Sequence, residues 1–207
     1  MFSGIIKSVG TVVALERHDD IYRIKVDAPL FSQGARRFVV GDSIAISGVC
    51  LTVLSPEGVE LRPPFAFDIG TETVRRTNLA ALDVGRRVNI EPSLCLGDSL
   101  DGHLVQGHVD CVAEVRAIAR EGNTFRVELS LPAEIRALVA KKGAVTIDGV
   151  SLTVGEVEVD HFAVYVVPHT WQETTMQFYQ VGTLVNLEAD MIARYLERLL
   201  AVGRDQP

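Results

Sequence analysis

Apolar and polar positions alternate along most of the chain. Tyr22, Ile24 and Val26 alternate with Arg23, Lys25 and Asp27, and Phe125, Val127, Leu129 and Leu131 with Arg126, Glu128 and Ser130. A period of two marks a strand with one buried face. Ile44 and Ile46 with Val49, Leu51 and Val53, and Val145 and Ile147 with Val150, Leu152 and Val154, read the same way. Gly10, Gly41, Gly48, Gly58 and Gly85 divide these runs at short spacing, so the pattern predicts an all-β sandwich or barrel in which closure removes exposed sheet edges. Short helices are expected after Pro29 and after Pro132, where Pro132-Ala133-Glu134 puts a proline and an acid in a first turn. The end of the chain changes period. From Asp190, residues Ile192, Tyr195, Leu196, Leu199 and Leu200 form the i, i+3, i+4, i+7, i+8 stripe of an amphipathic helix. Its stripe needs a partner, either the chain's own strands or neighbouring copies, and association with copies is the favoured expectation. Arg204-Asp205-Gln206-Pro207 is expected to be disordered.

The pattern also repeats. Gly48-Val49-Cys50-Leu51-Thr52-Val53 returns as Gly149-Val150-Ser151-Leu152-Thr153-Val154, and Gly85-Arg86-Arg87-Val88-Asn89-Ile90-Glu91 as Gly182-Thr183-Leu184-Val185-Asn186-Leu187-Glu188. Phe65-Ala66 and Thr73 return as Phe162-Ala163 and Thr170, and Gly4-Ile5-Ile6 is echoed by Gly107-His108-Val109. Ordered matches with drifting offsets mean a tandem duplication of a unit the size of a small domain. Divergence between the copies is informative: Cys50 faces Ser151, Ser43 faces Ala144, Glu72 faces His169 and Gly41 faces Lys142. Two related pockets holding two related ligands would diverge in this way, and neutral drift is the alternative.

Composition narrows the function. A formal net charge of −7 over 207 residues, from 20 basic and 27 acidic side chains, argues against nucleic acid as a partner. No run suits a membrane span or a signal peptide. Cys50, Cys95 and Cys111 form no C-x-x-C pair and leave an odd count, which points to a reducing compartment and a cytoplasmic location. P-loop, G-x-G-x-x-G, EF-hand, H-E-x-x-H and G-x-S-x-G patterns are absent from the sequence.

The residues carrying the duplication also carry a resemblance. Met-Phe-Ser-Gly-Ile-Ile at the start, Gly-Val-Cys-Leu-Thr-Val at 48–53, Glu72-Thr73-Val74-Arg75-Arg76-Thr77-Asn78-Leu79, Gly102-His103 through Asp110, Lys142-Gly143, residues 148–154 and Ile192-Ala193-Arg194-Tyr195 resemble the alpha-chain type of riboflavin synthase, a family of lumazine-binding repeats. The resemblance spans nearly the whole chain. It implies two tandem six-stranded antiparallel Greek-key barrels, at 1–102 and 103–188, with a trimer-forming helix and tail at 189–207. It implies a transferase of riboflavin biosynthesis that dismutates 6,7-dimethyl-8-ribityllumazine. One substrate molecule gives four carbons to another, yielding riboflavin and 5-amino-6-(ribitylamino)uracil, without metal or redox cofactor. A homotrimer is implied, and association with lumazine synthase is left open. A lumazine- or flavin-carrying relative without turnover is the alternative; a flavin reductase would need a nucleotide-binding domain after the barrel. Three positions depart from the family: Ser3 for the usual Thr, Ser47 for a frequent Asn, and Asp101 for a frequent Gly.

Carried onto this sequence, the resemblance makes Cys50, Ser43 and His108 the catalytic candidates. Cys50 is a nucleophile or polar contact near the pteridine, or else a buried small hydrophobe, and Ser43 or water is the rival nucleophile. Its parity is opposite to that of Val49, Leu51 and Val53, so it should face the other side of the sheet. His108 would move protons near the first pocket, where the 7-methyl group must lose one. His103 lies five residues away, a spacing unsuited to a zinc pair; His18, His161 and His169 fall in loops or strand ends, and only His169 matches a binding position. Pocket walls implied by the resemblance are Gly4, Ile5, Ile6, Val49, Leu51, Asp68, Ile69, Gly70, Thr71, Glu72, Thr73, Gly107 and Val109. On the second unit they are Lys142, Ser151, Leu152, Thr153, Tyr165, Val166, Val167, Pro168, His169 and Thr170. Backbone groups there would read the uracil-like edge, and Asp68 and Thr73 the ribityl hydroxyls.

Overall fold

The computed structural model describes residues 1–17, 21–32, 38–54 and 62–204; Gly58, His18 and the tail residues 205–207 lie outside them. The alternating runs become strands β1 (Ser8–Arg17), β2 (Ile21–Asp27), β3 (Ser43–Ile46), β4 (Val49–Thr52), β5 (Phe65–Gly70) and β6 (Arg87–Pro92). The second unit supplies β7 (Cys111–Glu121), β8 (Thr124–Ser130), β9 (Ala144–Ile147), β10 (Val150–Val157), β11 (His161–Val166) and β12 (Leu184–Ala189). Strand order is β4-β3-β6-β1-β2-β5 in the first sheet and β10-β11-β8-β7-β12-β9, closed on itself, in the second. Every registered pair is antiparallel, and both units share one Greek-key order. In the first unit the seam between β4 and β5 is joined at Leu54 and Ala66, so that barrel is nearly closed. Register shifts at Val12/Ala14 in β1 and at Val115/Ala117 in β7 are bulges that curve each sheet toward closure.

Each barrel fills its interior with the predicted apolar faces: Ile24, Val26, Ile44, Phe67 and Ile90 in the first, and Val127, Leu129, Ile147, Phe162 and Leu187 in the second. The outer faces of β6 and β12 are also buried, although polar. Asn89 and Glu91, Asn186 and Glu188 are each at most 2% exposed, because these faces pack between the barrels. The asparagines bridge the two units. The Asn186 amide donates to the Ser47 carbonyl at 2.8 Å and to Asn78 Oδ1 at 2.9 Å, and its oxygen accepts from Asn78 N at 2.7 Å. Asn89 mirrors it, donating to the Asp148 carbonyl at 2.9 Å and accepting from Thr175 N at 2.8 Å. The β3–β4 and β9–β10 hairpin turns meet at this axis. Ser47 and Gly48 have φ of 44° and 78°, Asp148 and Gly149 46° and 80°, as tight primed turns require. A Cβ on Gly48 would sit 2.6 Å from Gly149 N, so only glycine allows the approach.

Helical structure departs from expectation in detail. α1 (Pro29–Ser32) follows Pro29, but the segment after Pro132 is a short 3-10 turn, Ala133–Ile135, continued by hydrogen-bonded turns. Each unit also carries a helical stretch the pattern did not predict, α2 (Thr71–Arg76) and α3 (Pro168–Glu173), each followed by a 3-10 turn. Neither α2 nor α3 buries a residue, so neither has an apolar stripe to announce it. α4 (Met191–Arg204) forms as predicted and includes Arg204, with Asp190 Oδ1 accepting from Ile192 N. Ala193 packs on the second core and Arg194 pairs with Asp110. The stripe of Ile192, Tyr195, Leu196, Leu199 and Leu200 is 54–70% exposed. No helix among the described residues is long and apolar enough to cross a membrane.

Candidate active site

The expected site residues gather in two places, and each place mixes the two units. The lead segment of the first unit pairs with that of the second through a Phe2–Val105 bridge, with N–H to carbonyl distances of 2.8 and 3.1 Å. Each segment then crosses onto the other barrel. The Gly107 carbonyl accepts from Cys50 N at 2.9 Å, and the Gly4 carbonyl accepts from Ser151 N at 2.7 Å. Val109 packs on the first core and Ile6 on the second. A Cβ on Gly107 would lie 2.7 Å from Cys50 Cβ, and one on Gly4 2.5 Å from Ser151 Cβ. With φ of 76° at both, these positions require glycine twice over.

In the first cleft, Cys50 pairs across the hairpin with Ala45 and Ser43 with Thr52. Cross-strand partners share a face, so Ser43 and Cys50 both point out of the barrel while Val49, Leu51 and Val53 point into its core. That is the parity expected. The half-buried Cys50 packs against Phe2, Ala45 and Val105. His108 is exposed, its N–H held by Glu188 Oε2 at 3.1 Å. Asp68 is bound through both carboxylate oxygens to Arg23, at 2.7 and 2.8 Å, so any ribityl hydroxyl there would meet an ion pair. Ile69 is core, whereas Gly70, Thr71 and Glu72 lie exposed where β5 passes into α2, and Thr73 is half-buried.

In the second cleft, β10 and β11 are registered from Val154–Val164 onward, so Ser151–Thr153 and Tyr165–Val166 are not joined to each other. Gly4, Ile5 and Ile6 run beside that opening. Val166 is core, and Val167, Pro168 and His169 are exposed at the start of α3 beside Thr170. The Tyr165 ring lies against Gly155, and its hydroxyl donates to Glu156 at 2.9 Å. Lys142 is exposed with φ of 67°, in the position that Gly41 fills in the first unit.

Sequence reasoning missed two features. His103 Nδ1 lies 2.7 Å from Ser151 Oγ, and burial pushes its imidazole pKa down, toward the neutral form. Its irregular segment gave no periodicity by which to find it. The second is the pair Glu91 and Glu188, visible in the sequence only as one repeated acid. The three thiols are free: Cys95 is exposed, and buried Cys111 is pushed up to about 12 by desolvation and by Glu134 and Asp110. A cavity of about 550 Å³ lies away from the expected residues, at the axis between Asn78, Arg86, Asp148 and Tyr179. A smaller one of about 320 Å³ lies by Lys7, Glu91 and Asp101; Asp101 there accepts from Ser99 at 3.0 Å.

Two barrels, each completing a cleft on the other, define a duplicated ligand-binding barrel protein, and residues 3–93 and 106–190 each match the lumazine binding domain family. The chain is 41% identical over 205 residues to riboflavin synthase of Mycobacterium tuberculosis (strain H37Rv), covering 97% of this chain and 98% of that one. It is 39% identical to that of Photobacterium leiognathi, over 99% and 91% of the two chains, and 36% identical to that of Bacillus amyloliquefaciens, over 97% and 90%. The chain belongs to the riboflavin synthase family. Among solved structures, LumP complexed with riboflavin superposes with a TM-score of 0.79 at 24% identity, and LumP complexed with 6,7-dimethyl-8-(1'-D-ribityl) lumazine with 0.77 at 23%. Both cover 91% of this chain and 99% of that one, a likeness of fold.

Proposed function

We propose that the chain converts two molecules of 6,7-dimethyl-8-ribityllumazine into one of riboflavin and one of 5-amino-6-(ribitylamino)uracil, one substrate bound at each cleft type. Carbons and nitrogens balance without an external oxidant, since the four carbons lost by the donor are those gained by the acceptor. The observation that carries this reading is the exchange of lead segments in a chain of this family: it makes two related clefts whose reactive positions differ, Cys50 in one and Ser151 in the other. Holding both reactants converts a bimolecular encounter into an oriented one. In the first cleft Cys50 or Ser43, or water beside them, adds to the electrophilic pteridine held there, and His108 takes the proton from the 7-methyl group of the other molecule, which becomes the carbon nucleophile. Open backbone edges at 151–153 and 165–167 suit the uracil-like edge, and Lys142 supplies a cation at the second cleft. The domains divide at residue 102, and the site residues are those named above.

The exposed stripe of α4 supports a homotrimer in which a first cleft faces a second cleft of a neighbouring copy. We place the protein in the cytoplasm, with lumazine synthase as a further partner to be tested. The deciding assay is incubation with the lumazine alone. Riboflavin should form with no added metal, flavin or nicotinamide; no riboflavin, loss of activity on chelation, or dependence on an added reductant would overturn the reading.

A further inference from the structure

Each lead segment meets a buried carboxylate where it turns toward the opposite barrel. Glu188, on β12 of the second barrel, accepts from Gln106 N at 2.8 Å through Oε1, and from Gly107 N at 2.9 Å and His108 N at 3.1 Å through Oε2. Glu91, on β6 of the first barrel, accepts from Ser3 N at 2.7 Å and Ser3 Oγ at 2.8 Å through Oε1, and from Gly4 N at 3.0 Å through Oε2. Both carboxylates are 2% exposed. Each carboxylate is thus committed to successive donors on the peptide that crosses over. A carboxylate is the side chain with two acceptor oxygens and no donor, so it alone satisfies such a row without leaving a dry N–H. The same stretches run over a cleft: Gly107, His108 and Val109 beside Cys50, and Gly4, Ile5 and Ile6 beside Ser151.

We propose that Glu188 and Glu91 are positioning residues, each holding in place the wall of the cleft on the barrel to which it does not belong. The inference rests on the riboflavin synthase reading for its consequence in turnover, though not for the pinning itself. It carries a signature that ordinary structural support lacks. Damage at Glu188 in the second barrel should impair the first-barrel cleft, and damage at Glu91 in the first barrel should impair the second.

Glu188→Gln and Glu91→Gln keep the shape of the side chain but turn one acceptor into a donor. The full chain would be examined by hydrogen exchange, free and with riboflavin as probe, and by steady-state kinetics. In Glu188→Gln, amides 106–108 should exchange at least tenfold faster. Riboflavin should lose its protection of peptides covering 48–54 while still protecting 149–155, and kcat should fall at least tenfold. Glu91→Gln should give the mirror result, and it serves if Glu188→Gln fails to fold. Unchanged exchange at 106–108, or weakening of both clefts alike, or of the cleft on the mutated residue's own barrel, would overturn the assignment. An unaltered chain that makes no riboflavin from the lumazine would overturn the functional reading instead, while exchange at 106–108 would still decide the pinning.

Discussion

Asn186→Ala should be among the more destabilising single changes outside the apolar cores. The side chain makes three hydrogen bonds, to the Ser47 carbonyl and to both the side chain and backbone of Asn78, at 1% exposure. Each such bond is worth about 1 kcal/mol net, and the Ser47 carbonyl and Asn78 N–H left dry add roughly 1–2 more, for a total of about 4 kcal/mol. Asn89→Ala removes two bonds from the mirror position and should cost about 1 kcal/mol less. Urea denaturation at fixed protein concentration measures both. With a slope of about 3 kcal/mol per molar for a chain of this size, the Asn186→Ala midpoint should drop by about 1.3 M. Because these asparagines join the barrels, the variant should also lose the coincidence of its fluorescence and circular dichroism transitions. A midpoint shift below about 0.3 M with the transitions still coincident would show that the buried amides do not couple the units.

Cys50→Ser should lose far more activity than Cys95→Ser or Cys111→Ser, and wild-type turnover in all three would reduce Cys50 to packing. Deleting the chain from Asp190 onward should yield a monomer that binds riboflavin but turns over poorly, since the α4 stripe would otherwise bury apolar side chains worth roughly 1.5–3 kcal/mol each; sedimentation with the activity assay tests this, and a fully active monomer would refute it. Lys142→Gly should relieve the left-handed backbone and gain about 1 kcal/mol while raising KM for the lumazine, read from thermal melts and kinetics; a lower melting temperature would contradict the backbone argument. Desolvation pushes the Asp148 carboxyl up to about 6. The folded state therefore binds its proton more tightly than the unfolded chain, and its contribution is fully present below about pH 4 and lost as pH rises through 6. Melting temperature should rise from pH 8 to pH 5, and Asp148→Asn should flatten that slope; an unchanged slope would refute it.

What was legible in the sequence follows from period and repetition. Strict alternation marked the strands, and the parity of Cys50 against Val49 and Leu51 set its side chain on the face opposite theirs, which is the outer face of the first barrel. The α4 stripe was equally plain because its period differs from all that precedes it. Short helical segments were less legible: α2 and α3 rest on the cores through little more than Val74 and Trp171, and the segment after Pro132 buries Ile135, Leu138 and Val139 at helical spacing yet stays a run of 3-10 and hydrogen-bonded turns. The crossing of the lead segments was hidden for another reason. Gly4 and Gly107 appeared as a repeated glycine, yet nothing in a linear repeat says whether a segment covers its own copy or the other. Only the long-range bonds to Ser151 and Cys50 decide that.

The unequal chemistry at the axis between the barrels bears on the ancestry of the chain. In a dimer encoded by one short gene, every residue occupies both sides of the twofold, so a substitution arrives twice or not at all. Fusion lifts that constraint. Here one side carries Asp148, accepting from Tyr179 Oη at 2.7 Å and from Asn78 Nδ2 at 3.1 Å, while the corresponding places on the other side hold Ser47, Leu82 and Thr175. Two carboxylates at this buried meeting point would repel each other across touching hairpins; one carboxylate, matched to one phenol, can be buried. Such a pairing could be selected only once the two copies could change independently, so the asymmetry dates itself later than the duplication.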